Sequence, residues 1–240
     1  MTQLEVYGDV LELAVTRFRE GGFVLLHDSV GRENEVDMVT AAELMSPEHV
    51  AAMRTDAGGL LCLAVGHEVA ERLRIPGMRE ILQLAARHYP VLKSLDEETA
   101  PYGGKSPFSI TINHRDTFTG ITDRDRSLTI RELGELCKVA LKDPDAGRSQ
   151  FATKFKAPGH VHLLIESAGS ISQRRGHTEL SVYLSRLAGM SPATAICEML
   201  DRKTHNALSV EDAQKYALNH SIPFLEGQQL AASFLKEHSH

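Results

Sequence analysis

In the run Arg32-Glu33-Asn34-Glu35-Val36-Asp37 three carboxylates alternate along the chain. In extended backbone Glu33, Glu35 and Asp37 would point to one face, where like charges repel. A hard divalent cation with oxygen ligands would offset that repulsion, and Mg²⁺ needs only one or two carboxylates when substrate oxygens and water complete its octahedron. The same pattern equally describes a solvated acidic loop tip. A second run, Arg174-Arg175-Gly176-His177-Thr178, joins two guanidinium groups, a glycine permitting close approach and a hydroxyl at the expected start of a helix. That set suits a phosphate, and His177 beside it could ligate a metal or carry protons near neutral pH. A capped helix with exposed arginines is the plainer alternative.

Three weaker features accompany these. Pro158-Gly159-His160 precedes a strand, where a histidine is either a base or a satisfied polar residue. Cys197-Glu198 places a carboxylate in an apolar strand, which is costly unless the group is paired or functional. Thr119-Gly120-Ile121-Thr122-Asp123-Arg124-Asp125-Arg126 reads either as a salt-bridged turn or as a second phosphate-facing loop.

The elements that must carry these residues alternate between helix and strand. Val10, Leu11, Ala14, Val15 and Phe18 give residues 4–19 a helical period, stopped by Gly21-Gly22. Apolar runs at 23–26 and 38–41 flank a polar loop or hairpin tip at 28–37. Ser46-Pro47 starts a helix that Gly58-Gly59 ends; a buried strand at 60–65 and a short helix at 67–74 follow. Residues 76–107, with Gly103-Gly104, read as an irregular excursion with a helical stretch at 80–87. Residues 108–112 alternate as a strand, and Thr129 with Glu132 forms a capping box for a helix to Leu141, broken by Asp143-Pro144-Asp145-Ala146-Gly147. Strands at 161–165, 195–199 and, edge-like, 222–225 interleave with helices at 178–188, from Ser209 and at 228–237. With no repeat and no Gly/Ser-rich linker, residues 1–240 read as a single α+β domain of α/β type, with a central mixed β-sheet covered by helices.

Composition narrows the class. The 240 residues are 42% hydrophobic, enough for a sizeable core. Net charge is −6, which argues against nucleic acid as a partner. The longest apolar run, 60–65, is far short of a membrane span, and residues 1–6 lack a signal-peptide pattern, so membrane association is not expected and cytoplasmic residence is. Cys62, Cys137 and Cys197 are odd in number and widely spaced, as expected of small buried hydrophobes.

Taken in series, Arg32-Glu33-Asn34-Glu35-x-Asp37, Thr119-Gly120-Ile121-Thr122 with Asp125-Arg126, Pro158-Gly159-His160-Val161, Arg174-x-Gly176-His177-Thr178-Glu179 and Ile196-Cys197-Glu198 resemble the 3,4-dihydroxy-2-butanone 4-phosphate synthases, and more their archaeal branch. The resemblance covers most of the chain. It implies a monofunctional lyase of riboflavin biosynthesis that converts D-ribulose 5-phosphate to L-3,4-dihydroxy-2-butanone 4-phosphate and formate, without a fused GTP cyclohydrolase II half. It further implies Mg²⁺ or Mn²⁺ held by Glu33 and His177, and substrate contacts from Arg32, Glu33, Asp37, Thr122, Arg174, Arg175, Gly176, His177 and Thr178. His160, Glu198 and Glu35 would be catalytic, the metal stabilising an enediolate while Glu and His move protons. A homodimer with sites near the subunit interface is also implied. The chain departs from the family pattern at Asp28-Ser29-Val30-Gly31, which replaces an acidic run, at Val36, and at Arg175. Another metal-dependent sugar-phosphate isomerase or aldolase, or a non-catalytic module binding a phosphorylated ligand, are the alternatives.

Overall fold

The computed structural model describes residues 3–95 and 105–237. In chain order the elements are α1 (Gln3–Arg19), β1 (Val24–His27), β2 (Val36–Ala41), α2 (Pro47–Ala52), β3 (Cys62–Val65), α3 (His67–Leu73), α4 (Met78–Ala85), β4 (Phe108–His114), α5 (Asp123–Lys142), α6 (Pro144–Lys154), β5 (Phe155–Ile165), α7 (His177–Leu187), β6 (Ala193–Glu198), α8 (Val210–His220), β7 (Phe224–Glu226) and α9 (Gly227–Glu237). The seven described strands form one mixed sheet in the order β4-β5-β3-β6-β2-β1-β7. β1 with β7 and β3 with β5 are parallel, and the other neighbours are antiparallel.

β1, β2 and β3 are buried at every position, as expected of near-continuous apolar strands covered on both faces. Successive side chains divide between two cores. Leu25, Met38, Leu63 and Cys197 pack with Val50, Leu73, Leu133 and Ala213 from α2, α3, α5 and α8. Val24, Leu26, Val39 and Ile196 pack with Phe18, Leu184 and Leu230 from α1, α7 and α9. The sheet is therefore the middle of three layers, which is the α+β fold expected.

The boundaries show how local chemistry sets each element. Ser46 caps α2: its hydroxyl accepts the His49 N–H, and the His49 ring accepts the Ser46 N–H. α5 starts at Asp123, six residues before the expected capping box, because the Thr122 hydroxyl accepts the Asp125 N–H. Thr129 lies inside the helix, its hydroxyl donating to the Asp125 carbonyl. The stretch 143–147 ends α5 at Lys142 as expected, and it also opens a further helix that the sequence reading does not contain. Asp143 accepts the N–H groups of Asp145 and Ala146 and, with Pro144 at the first position, opens α6. Gly147 lets α6 lie on α5, since a Cβ there would sit 2.7 Å from Ala140 Cα.

α4 begins two residues before the expected helical stretch, and Gly103-Gly104 lies outside the described residues. β7 forms the sheet edge expected of Ile222-Pro223-Phe224-Leu225. Cys62, Cys137 and Cys197 are buried free thiols, and burial pushes Cys137 and Cys197 up to about 12. No described helix is long and apolar enough to cross a membrane.

Candidate functional site

The register brings the ends of several strands to one edge of the molecule. Asp37, the second residue of β2, lies opposite Glu198, which ends β6, and His27 at the end of β1 pairs with Val36. The β1–β2 connection, residues 28–35, is the expected hairpin loop, and a residue not singled out from sequence shapes it. The Asp28 side chain is fully buried. Its Oδ2 accepts the Glu33 N–H and Arg32 Nη1, each at 3.0 Å, and its Oδ1 accepts the Glu35 N–H at 3.2 Å. Asn34 adopts a left-handed φ of 56°, so the run is not extended as expected. The Asn34 amide oxygen lies 3.1 Å from His27 Nε2, and His27 Nδ1 lies 2.6 Å from Glu226 Oε2 on β7.

Despite that turn the acidic residues converge on His177, the first residue of α7. Its Nδ1 is 3.2 Å from Glu33 Oε2, and its Nε2 is 3.1 Å from the Glu35 carbonyl and 3.7 Å from Asp37 Oδ1. Glu35 thus meets the ring through its main chain. Burial raises the Glu35 carboxyl above its ordinary range, and the Glu33 carboxylate adds to the effect. Asp37 is fully enclosed, and burial, opposed by the His177 charge and aided by Glu198, pushes it up to about 7. Burial works against charge on His177, yet Asp37, Glu33 and Asp28 outweigh it and push the imidazolium up to about 9.

Asp28, Glu33 and His177 each offer a ligand atom within 4.8 Å of the others, the one group of this kind among the described residues. The donor set, two carboxylates and an imidazole, fits a hard divalent cation. Asp28 makes three hydrogen bonds within the loop, while Glu33 Oε1 pairs with Arg32 Nη2 at 2.8 Å and both ring nitrogens of His177 have partners.

Two guanidinium groups meet beside this cluster. Arg174 Nη1 donates to Glu179 Oε2 at 2.5 Å, while Glu179 Oε1 accepts from Ser167 N–H and hydroxyl. A Cβ on Gly176 would lie 2.3 Å from Arg174 Nη1 and 2.8 Å from Arg32 Nη2, so only glycine leaves both groups room over the α7 N-terminus. Gly176 is the N-cap of α7 and makes no side-chain cap, and Thr178 is buried in the first turn. Arg175 is exposed. Backbone N–H groups and two guanidinium groups are the donors from which an anion site can be built.

Glu198 is half-buried at the last position of β6, not enclosed within the strand as its apolar neighbours suggested. Its Oε2 accepts the Leu60 N–H at 2.7 Å, and its carbonyl accepts the Gly59 N–H at 3.0 Å. A Cβ on Gly59 would sit 2.5 Å from both oxygens, so this turn grips the carboxylate.

His160 and Thr122 belong to a second group. Between the pairs Ile112–Val161 and Asn113–Lys156 the β4–β5 register shifts, and residues 157–160 bulge out with His160 exposed. His160 precedes by two residues His162, which pairs with Cys62, itself opposite Ile196, two residues before Glu198. His160 therefore sits at the same end of the sheet as Glu198. Thr122 is exposed and caps α5. Asn113, also missed from sequence, joins the two through contacts to His160 and Thr119. Asp28 carries a faint signal, as the first carboxylate after an apolar strand; Gly59 signals only a helix stop, and Asn113 nothing.

A profile of the 3,4-dihydroxy-2-butanone 4-phosphate synthase family matches residues 12–233. The 3,4-dihydroxy-2-butanone 4-phosphate synthase of Methanothermobacter thermautotrophicus is 45% identical over 227 residues, covering 95% of this chain and 96% of the relative. That of Archaeoglobus fulgidus is 42% identical, covering 94% of each. A crystal structure of a 3,4-dihydroxy-2-butanone 4-phosphate synthase in complex with two magnesium ions superposes with a TM-score of 0.75 at 28% identity, covering 94% of this chain and 96% of that one. Sequence, fold and both archaeal relatives agree: the chain belongs to the 3,4-dihydroxy-2-butanone 4-phosphate synthase family.

Proposed function

We propose that the 28–35 loop, the start of α7 and the end of β6 form the site at which this chain carries out the lyase reaction of its family. D-ribulose 5-phosphate is converted to L-3,4-dihydroxy-2-butanone 4-phosphate and formate. The observation that carries this reading is the meeting of Glu33, Asp37 and His177 beside two guanidinium groups at a helix N-terminus.

In this reading Glu33 and His177 hold Mg²⁺ or Mn²⁺, with Asp28 fixing the loop that aims Glu33. When bound, the metal supplies Lewis-acid polarisation of adjacent substrate oxygens. Arg32 and Arg174, with the N–H groups at Gly176–Thr178, hold the phosphate; Arg175 adds charge at the rim. Asp37, buried opposite Glu198, holds substrate hydroxyls, and its burial excludes water from that side. The free oxygen of Glu198, the one not tied to Leu60, takes and returns the proton of enolisation. Glu35, whose carboxyl is raised above its ordinary range by burial, is a second relay. His160 and Thr122 reach the substrate from the β4–β5 bulge and the α5 cap. C4 then leaves as formate after the skeletal rearrangement. The isomerase, aldolase and non-catalytic alternatives are not favoured by family membership. A homodimer and cytoplasmic residence complete the proposal.

Purified protein given ribulose 5-phosphate and Mg²⁺ is expected to release formate in step with substrate loss, and a chelator is expected to stop it. Substrate loss without formate would assign the site to isomerisation or aldol chemistry. Gly176→Ala tests the phosphate cradle. Its methyl displaces flexible guanidinium ends, not backbone, so folding should persist while KM rises about tenfold, the cost of roughly one weakened charge-assisted hydrogen bond. An unchanged KM would move the phosphate elsewhere.

A further inference from the structure

We propose that Asn113 is a positioning residue that fixes the tautomer of His160, so that His160 meets the substrate as a neutral hydrogen-bond donor through Nε2 and not as a base. This deepens the reading of His160 given above and rests on it.

The Asn113 side chain is buried near the end of β4, 4% exposed, and meets His160, Thr119 and Gly120. Its Oδ1 accepts the His160 N–H at 2.8 Å. Its Nδ2 donates to the Thr119 carbonyl at 3.4 Å and lies 3.1 Å from His160 Nδ1. Gly120 has φ of 93°, and a Cβ there would fall 2.0 Å from Nδ2, so the turn presses directly on the amide. These neighbours dictate the amide's orientation. A main-chain N–H can only donate, so it must face Oδ1, and a main-chain carbonyl can only accept, so it must face Nδ2. His160 Nδ1 is nearer to Nδ2 than to Oδ1, which stands at 3.4 Å, and Nδ1 therefore accepts. In the neutral ring the single proton is then on Nε2.

The same amide makes a rigid unit of two motifs distant in sequence. The 157–160 bulge is pinned to β4 by Asn113 and by Gly159 N–H donating to Thr111 Oγ1 at 3.0 Å. The 119–122 turn is closed by Gly120 N–H donating to Asp125 Oδ2 at 2.9 Å, and leads into the Thr122 cap. A neutral imidazole N–H held in this way stabilises a developing oxyanion with no net proton transfer, which is the demand made by enolisation.

Ring nitrogens of histidine-labelled protein, observed by ¹⁵N NMR and assigned by loss of the signal in His160→Gln, report the tautomer independently of turnover. Expected for the neutral ring are a proton on Nε2 and none on Nδ1; a proton on Nδ1 overturns the proposal. Asn113→Asp keeps the acceptor for the His160 N–H but offers a carboxylate to Nδ1, so the ring proton moves to Nδ1. Turnover is expected to fall about 10- to 100-fold with KM little changed, the range of a lost outer partner. An Asn113→Asp enzyme that keeps both the Nε2–H ring and full turnover also overturns it. Full turnover in His160→Ala would instead refute the role of His160, and the NMR result would still decide what Asn113 does to the ring.

Discussion

Glu198→Gln is expected to lose turnover by about 10²–10⁴-fold, the range for removing a positioned proton-transfer group, while KM for ribulose 5-phosphate stays within a few-fold. The geometry makes the substitution clean. Leu60 N–H donates to Oε2, and a glutamine carbonyl oxygen keeps that bond, though as a weaker acceptor than a carboxylate. Gly59 keeps its place because the side chain's shape is unchanged, and the half-buried site need not accommodate a new charge. What is lost is the carboxylate's capacity to take up and return a proton. The melting temperature should therefore fall by no more than a few degrees. A variant that melts much earlier but whose folded fraction turns over at full rate would make Glu198 a structural residue, and proton transfer would pass to Glu35.

Much of the fold was legible because its signals are local. Residues 23–26 and 38–41 announce buried strands by composition alone, and Ser46-Pro47 carries a complete N-cap pattern within four residues. The failures are instructive for the same reason. Asp143-Pro144-Asp145 has the chemistry of a helix start, yet it directly follows a helix, and proline after a helix also reads as a stop; only the packing of Gly147 against Ala140 shows that α6 folds back on α5. The site divides similarly. Glu33, Asp37, Arg174 and His177 stand in recognisable runs, and the structure gathers them. Asp28 looked like part of a weakened acidic stretch, whereas its buried carboxylate closes the loop with three hydrogen bonds. Gly59 and Asn113 act on partners 139 and 47 residues away, and no periodicity or short motif encodes contacts made by tertiary folding.

Glu33→Gln and His177→Ala are each expected to raise the Mg²⁺ concentration needed for half-maximal formate release by about 10- to 100-fold or more, because each removes one of the two side-chain ligands of the proposed metal site. His177 adds a pH dependence whose sign follows from its surroundings. In the metal-free protein Asp37, Glu33 and Asp28 raise the ring to about 9 against the cost of burial, so the ring carries a proton below that pH. A metal ligand must be neutral imidazole, so loading expels that proton. Mg²⁺ affinity, read by calorimetry on the protein alone, should strengthen as pH rises from 7 toward 9. Below about 7 it should weaken further, as Asp37 begins to take up a proton and leaves less negative charge around the ion. His177→Ala should bind Mg²⁺ weakly with little slope between pH 7 and 9. Equal affinity across that range in the wild-type chain would mean that the ring keeps its proton beside the ion, leaving Glu33 and Asp28 to hold the metal and His177 to serve only as their counter-charge.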